Sequence, residues 1–117
     1  GKTQLEADMI FEDALAVQDS GAFAVVLEGI PANLAEKITK KLHVPTVGIG
    51  AGPHCDGQIQ VYHDLIGLYG EMTPKHCKQY GNLEVQIKNM LMEYKTDVEE
   101  KNFPNEKNYT TSKLLSK

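Results

Sequence analysis

The sequence predicts an α/β fold in which three parallel strands are flanked by helices. Residues 22–27 form an uninterrupted apolar run, which is typical of a strand buried on both faces in a helix-covered parallel sheet. A helical pattern at 31–42 separates this run from a second short apolar run at 46–49, so the local order is strand, helix, strand. Residues 58–62 alternate polar and apolar side chains, which predicts a third strand with one apolar face.

The first helix is predicted over residues 4–20, where apolar side chains recur at steps of three and four. Gly21 is placed to end it in the left-handed conformation. The strand at 22–27 then brings Glu28 to its carboxyl end, the edge where parallel α/β sheets bind ligands and collect catalytic side chains. Glu28 is therefore a candidate catalytic residue, and a helix cap or a solvated rim residue is the alternative.

The second helix is predicted to begin at Pro31, because proline at the first helical position needs no N–H partner. After the second strand, the glycine-rich loop at 48–52 sits where a phosphate-binding loop would. A turn at Asp56-Gly57 follows it instead of a helix N-terminus, which disfavours a dinucleotide fold. Two interpretations remain open: glycines that allow close packing, or glycines that shape a substrate pocket.

The third strand would bring His63-Asp64 to the same carboxyl edge, either as a hydrogen-bonded pair near the site or as residues that order the loop. Thr73-Pro74 predicts a short helix that is closed at Gly81. Asn82 is expected to cap a longer helix ending near residue 101, with an apolar stripe of core or subunit-contact residues. We assign residues 1–104 to one domain and 105–117 to a polar, loosely attached tail.

The composition and charge of the chain limit the kinds of function that are expected. The chain has 117 residues and a net charge of −4 from 12 basic and 16 acidic residues, so a nucleic-acid partner is not expected. No apolar run is long enough for a membrane span, and we expect a cytoplasmic protein. Cys55 and Cys77 are expected to be reduced and buried. His54-Cys55 and His76-Cys77 lack the spacing of a structural zinc site, so local packing competes with metal binding and no metal ligand is assigned.

Several sequence blocks together resemble one enzyme family. They are G-K-T at 1–3, L-E-G-I-P at 27–31, V-P-T-V-G-I-G-A-G at 44–52, D-G-Q at 56–58 and H-D-L-I-G-L at 63–68. In this order, the blocks resemble ketopantoate hydroxymethyltransferases. The resemblance implies a (β/α)8 TIM barrel, of which this chain would be the C-terminal half, a partial barrel of three parallel strands with flanking helices.

The resemblance also implies a reaction. In this family, a hydroxymethyl group passes from 5,10-methylenetetrahydrofolate to 3-methyl-2-oxobutanoate, giving 2-dehydropantoate for pantothenate and coenzyme A synthesis. Glu28 matches the proton acceptor, and we expect partial removal from water to make it a stronger base. The Mg²⁺ ligands would lie upstream of residue 1, no cofactor-binding residue is assigned, and a homo-oligomer is expected for the full-length enzyme. The isolated chain is expected to be inactive; a non-catalytic half-barrel or a self-associating α/β module lacking the metal site is the alternative.

Overall fold

A computed structural model of the chain describes residues 1–69 and 72–115. Its strands form one parallel sheet in the order β1-β2-β3. The α/β class and the parallel pairing of three strands are therefore confirmed. In chain order, the elements are α1 (Gln4–Asp19), β1 (Val25–Glu28), α2 (Ala32–Lys41), β2 (Thr46–Ile49), β3 (Gly57–Gln58), α3 (Tyr62–Ile66), α4 (Leu83–Glu99) and a 3-10 turn, Lys113–Leu115.

Helix α1 begins and ends close to the predicted positions. The Thr3 hydroxyl accepts a hydrogen bond from the Glu6 N–H at 3.3 Å, and the Glu6 carboxylate accepts one from the Thr3 N–H at 3.1 Å. These two bonds form a capping box, which satisfies N–H groups that have no partner inside the helix. Gly21 follows the helix with φ +97°, as predicted for a left-handed terminator.

The core lies between α1, α2 and one face of β1. On α2 the apolar side chains Leu34, Ala35 and Ile38 are buried at helical spacing, which confirms the helical pattern predicted at 31–42. The helix starts one residue later than predicted, with Pro31 as its N-cap. The buried apolar residues are Ala14, Val25, Leu27, Leu34, Ala35, Ile38, Leu42 and Ala51.

The prediction that the first strand is buried on both faces was wrong for the described chain. Val25 and Leu27 are buried beneath the helices, but Val26 on the opposite face is 56% exposed. The strand also begins later than predicted, and Phe23 in front of it is 91% exposed. The reason is that α1 and α2 both pack on the same side of the sheet, and no element within 1–69 or 72–115 covers the other side. We call this uncovered side the open face.

The third strand is shorter than predicted. It comprises only Gly57–Gln58, and the ladder continues for one further bond from the Ile59 N–H to the Gly48 carbonyl at 3.0 Å. Helix α3 then begins at Tyr62, and Gly67 closes it with φ +71°. The helix overlaps the end of the predicted strand, residues 58–62, because the Leu65 N–H donates to the Val61 carbonyl at 3.0 Å and starts the helix there.

The short helix predicted after Thr73 was also wrong. Residues 75–76 form a turn in which the Cys77 N–H donates to the Pro74 carbonyl at 2.9 Å. Two further N–H groups are taken by distant partners: Lys78 donates to the Gln60 side chain at 2.6 Å, and Tyr80 to the Leu65 carbonyl at 2.8 Å. These long-range bonds hold the segment extended over the region of α3.

Helix α4 confirms the predicted capped helix, with the Val85 N–H donating to the Asn82 side chain at 3.4 Å. Its apolar stripe is exposed, so in the described chain it is not part of the core. The radius of gyration is 25.4 Å, against about 13 Å for a compact domain of this length, because α4 stands away from the sheet. Among the described residues, none of the helices combines the length and apolarity of a membrane span.

The segment after residue 104 is exposed throughout 105–115. The last two residues of the predicted tail, 116 and 117, lie outside the described part of the chain. The division into a domain at 1–104 and a tail at 105–117 stays a prediction.

Candidate functional site

Glu28 stands at the carboxyl edge of the sheet, where the sequence placed it. It is paired in register with Ile49, and the Gly29 N–H donates to the Ile49 carbonyl at 2.9 Å. The ends of β1 and β2 therefore lie side by side. Because side chains alternate along a strand, Glu28 shares the open face with Val26, opposite the helices.

The Glu28 side chain is exposed, so the partial removal from water expected from the sequence is not met in the described chain. The cause is the same as for Val26: the open face carries no covering element in the described residues. The position at the carboxyl edge, in contrast, agrees with the prediction. The catalytic role of Glu28 is taken up below as a proposal.

An open cavity of about 800 Å³ adjoins this edge. Its wall combines the loops that follow β1 and β2 with the turn that replaced the predicted short helix. The charged member of the described wall is Lys75. The residues that matter for the site are Gly29, Gly50, Gly52, Gln58, Lys75 and His76.

Two glycines of the 48–52 loop allow this wall to form. Gly50 has φ +63°, and a Cβ built there would lie 3.0 Å from Cγ of His76, so the imidazole rests directly on the loop. Gly52 has φ +80°, and a Cβ there would lie 2.3 Å from Cβ of Ala32, at the start of α2. A side chain would be strained at both positions. The first interpretation, that the glycines allow close packing, is confirmed. The second, that they shape a substrate pocket, stays a prediction, although the loop does form part of the cavity wall.

A hydrogen-bond network ties the loop back to the base of β2. The Asp56 carboxylate accepts from the backbone N–H of Thr46 at 2.8 Å and from its hydroxyl at 3.2 Å. The Thr46 hydroxyl also lies 2.8 Å from that of Thr39 on α2. At the other end, the Gln58 amide donates to the Gly52 carbonyl at 2.9 Å. The sequence marked Asp56 as a turn residue but gave no signal for its bond to Thr46, ten residues away.

His63 and Asp64 lie on α3 rather than at the end of a strand. The His63 ring stacks on Tyr69 with centroids 5.3 Å apart, and the Asp64 carboxylate accepts from the Cys77 thiol at 3.7 Å. Neighbouring residues on a helix point in different directions, so a bond between the two is disfavoured. Both residues order the chain around α3, which is the second interpretation offered by the sequence.

The two cysteines are free thiols, as predicted, and each is partly buried, so the predicted burial is met only in part. Removal from water, followed by the nearby Asp64 carboxylate, raises the pKa of the Cys77 thiol above its ordinary value. His54 lies 3.9 Å from Glu36, whose pKa is lowered chiefly by the hydrogen bond from Lys40 at 2.6 Å. Within the described ranges, no three His, Cys, Asp or Glu side chains come together in a way that would hold a metal ion.

Lys75 and His76 are the site residues that sequence reasoning missed. They were assigned to a helix, and His76 was considered only as a partner of Cys77 in a zinc site. Their approach to the Gly50 loop depends on contacts between segments far apart in the chain. The local sequence therefore carried no signal for their place in the cavity wall.

Comparison with known proteins places the chain in a family. A family model described as ketopantoate hydroxymethyltransferase matches residues 1–106. Three curated relatives share the name 3-methyl-2-oxobutanoate hydroxymethyltransferase. A protein from Geobacter sulfurreducens is 52% identical over 106 residues, which are 91% of this chain and 40% of the relative. One from Chloroflexus aurantiacus is 50% identical over 104 residues, 89% of this chain and 37% of the relative.

The third relative, from Carboxydothermus hydrogenoformans, is 48% identical over 111 residues, 95% of this chain and 40% of the relative. The chain thus spans about two fifths of the length of the curated relatives it matches. The family model extends over nearly all of the chain, from the capping box of α1 to the residues after α4. On this evidence, the chain belongs to the ketopantoate hydroxymethyltransferase family.

Proposed function

We propose that this chain supplies the proton-accepting part of a 3-methyl-2-oxobutanoate hydroxymethyltransferase. The enzyme adds a one-carbon unit from 5,10-methylenetetrahydrofolate to the keto acid, giving 2-dehydropantoate. The observation that carries the proposal is the position of Glu28 at the carboxyl edge of the sheet, on the open face and next to Gly29 of the cavity wall. We place the enzyme in the cytoplasm, as a homo-oligomer.

The proposed reaction requires a general base, and Glu28 is the candidate. A carbon–carbon bond to 3-methyl-2-oxobutanoate forms at the carbon beside the keto group, and that carbon must first lose its proton. A carboxylate held next to a substrate cavity suits this step, because a positioned general base contributes about 10²- to 10⁴-fold to the rate. The Glu28 carboxylate accepts the proton, and the resulting enolate forms a bond to the one-carbon unit. The bonds from that carbon to the two nitrogens of the folate break, a water molecule supplies the hydroxyl oxygen, and tetrahydrofolate leaves.

The open face supports a larger barrel. Val26, Val47 and Ile49 present an apolar surface that is only partly shielded, and β1 and β3 are the outer strands of the described sheet. In a closed (β/α)8 barrel, the side of the sheet opposite the helices is the packed interior. We therefore propose that further strands, contributed by residues beyond the 117 given, cover this face and partly shield Glu28 from water.

The described residues do not fit a magnesium site by themselves. Among residues 1–69 and 72–115, Glu28 does not belong to a group of three or more acidic, His or Cys side chains that could hold a metal ion. Mg²⁺ prefers carboxylate and other oxygen ligands in octahedral geometry. If the enzyme uses magnesium, as the family resemblance implies, its ligands belong to another part of the polypeptide. The steps that we propose for residues of this chain do not involve the metal.

The proposal is tested with Glu28→Gln in the complete polypeptide that contains these residues. The variant removes the proton acceptor while keeping side-chain size, so kcat should fall by about a hundredfold or more. Glu36→Gln on the helix side of the sheet is the matched control and should retain wild-type kcat. Turnover is measured as 2-dehydropantoate formation, and an unchanged rate for Glu28→Gln would remove this carboxylate from the mechanism.

A chimera tests whether this chain can supply the base to a complete barrel. Residues 1–106 replace the 106 matching residues of the Geobacter sulfurreducens relative. We expect turnover by the chimera, its loss in the chimera carrying Glu28→Gln, and none by the isolated 117 residues. Turnover by the isolated chain would show that these residues hold a complete site and would contradict the proposal.

The exposed apolar stripe of α4 favours a second candidate, a non-catalytic α/β module that associates with itself. The two candidates differ in measurable ways. A module of this kind would form a stable oligomer as the isolated chain in analytical ultracentrifugation, and the complete polypeptide would lack transferase activity. Turnover that depends on Glu28 would exclude it.

A further inference from the structure

The cavity at the carboxyl edge contains a positive charge that the proposed mechanism does not use. Lys75 belongs to its wall together with Gly29, the residue after the proposed base, and Gly50. Across the described wall, Lys75 is the charged residue. A lysine in the wall of a cavity attracts negatively charged ligands into it.

The Lys75 side chain is exposed and makes no ion pair or hydrogen bond with the described residues. Some of the other lysines do have such partners. Lys40 pairs with Glu36 at 2.6 Å, while the ammonium groups of Lys37 and Lys78 lie over the rings of Phe11 and Tyr80 at 4.7 and 4.9 Å. The charge of Lys75 is thus available to a ligand.

The backbone that carries Lys75 is held at both sides. On one side, the Cys77 N–H donates to the Pro74 carbonyl at 2.9 Å, which closes a turn around Lys75. On the other, the His76 ring lies against Gly50, and the Lys78 N–H donates to the Gln60 side chain at 2.6 Å. A fixed backbone lowers the entropy lost when a lysine engages a ligand, so this turn suits a binding role.

We propose that the Lys75 ammonium binds a carboxylate of a substrate in this cavity, and that His76 positions the turn by packing on Gly50. The inference rests on the proposed function. Both substrates of that reaction carry such a group: the keto acid has its own carboxylate, and tetrahydrofolates end in glutamate. A lysine ammonium is a compact charge on a flexible stem, which suits a single carboxylate at the rim of an open cavity.

The test uses Lys75→Met in the complete polypeptide, with Lys78→Met as the matched control. Lys75→Met removes the charge and keeps an unbranched side chain of similar length. We expect the KM for one substrate to rise about tenfold, with kcat within about threefold of wild type. Lys78→Met, three residues away with its ammonium over Tyr80, should leave both KM values unchanged. Lys75→Arg, which keeps the charge, should recover most of the lost affinity.

The substrate whose KM rises identifies the carboxylate. A rise for 3-methyl-2-oxobutanoate assigns Lys75 to the keto acid, whereas a rise for methylenetetrahydrofolate that grows from the monoglutamate to the triglutamate form assigns it to the folate tail. KM values within twofold of wild type for both substrates would overturn the inference, as would a fall in kcat alone.

Calorimetry separates this inference from the proposed function. The dissociation constants of the keto acid and of tetrahydrofolate are measured for the wild type, Lys75→Met and Lys78→Met, without turnover. If the wild type makes no 2-dehydropantoate, the proposed function fails. The binding role of Lys75 is still supported if Lys75→Met, but not Lys78→Met, binds one of the two ligands about tenfold more weakly than the wild type does. Equal affinities in all three proteins, or no binding by the wild type, would overturn it.

Discussion

Replacing Gly52 by alanine tests whether the loop between β2 and β3 is held as tightly as the structure indicates. A Cβ at this position would lie 2.3 Å from Cβ and 3.0 Å from Cα of Ala32, the first residue of α2. The backbone at Gly52 also has φ +80°, where an L side chain is strained by about 1–2 kcal/mol. Inserting a methyl group into a packed contact adds about 1–3 kcal/mol. We therefore expect Gly52→Ala to lower the free energy of unfolding by about 2–5 kcal/mol.

The matched control is Gly57→Ala at the start of β3. There, the new Cβ would meet the Val47 side chain at 3.7 Å, an ordinary contact, and φ lies outside the left-handed region. We expect a change within about 1 kcal/mol. Urea unfolding of the complete polypeptide, followed by circular dichroism, measures both variants, and their midpoints are comparable if the slopes agree.

A double variant separates the two contributions. Ala32→Gly removes the Cβ at 2.3 Å but not the Cα at 3.0 Å, so the pair should regain most of the overpacking part and none of the backbone strain. Ala32→Gly alone weakens α2 by up to about 1 kcal/mol. If Gly52→Ala unfolds within 1 kcal/mol of wild type, or if Ala32→Gly rescues nothing, the close approach of the loop to α2 would be refuted.

Two further substitutions test contacts around the site. Asp56→Ala leaves the buried Thr46 N–H without its acceptor and should lower the free energy of unfolding by about 1–3 kcal/mol. Asp56→Asn keeps an acceptor oxygen, so its loss of unfolding free energy should be smaller. Equal losses for the two variants in urea unfolding would contradict this account. Asp64→Asn removes one of the causes that raise the pKa of Cys77, so a larger fraction of the thiol should ionise at pH 8. Iodoacetamide should then label Cys77 faster than in the wild type. A slower or unchanged labelling rate would show that Asp64 does not act on the thiol.

The parts of the fold that could be predicted are those specified by local sequence. Helix α1 was predictable from its periodicity and from Gly21, and α4 from the Asn82 cap, because caps and stripes act within a few residues. Strand β2 was predicted with the observed bounds, Thr46–Ile49. These elements can be predicted without information about their contacts with distant parts of the chain.

The errors concern segments whose hydrogen bonds go to distant partners. The segment after Thr73 resembles a helix start, yet Lys78 and Tyr80 donate to Gln60 and Leu65 instead of to the preceding turn. Backbone groups must be paired somewhere, and local sequence does not say where. The same limit applies to the candidate site. The position of Glu28 at the carboxyl edge could be predicted because a strand end is a local signal, while Lys75 enters the cavity wall only through contacts with a loop that precedes it by many residues.

The open face links the stability of the proposed barrel to the burial of Glu28. Covering Val26, which is 56% exposed, contributes about 1 kcal/mol, and the half-shielded Val47 and Ile49 contribute less. Full removal of a carboxylate from water costs several kcal/mol per ion, which exceeds that gain. Strands that cover the open face would therefore not carry Glu28 fully into an apolar interior. At the carboxyl edge, beside an open cavity, the carboxylate can be shielded in part and still reach a substrate proton, which is what a proton acceptor requires.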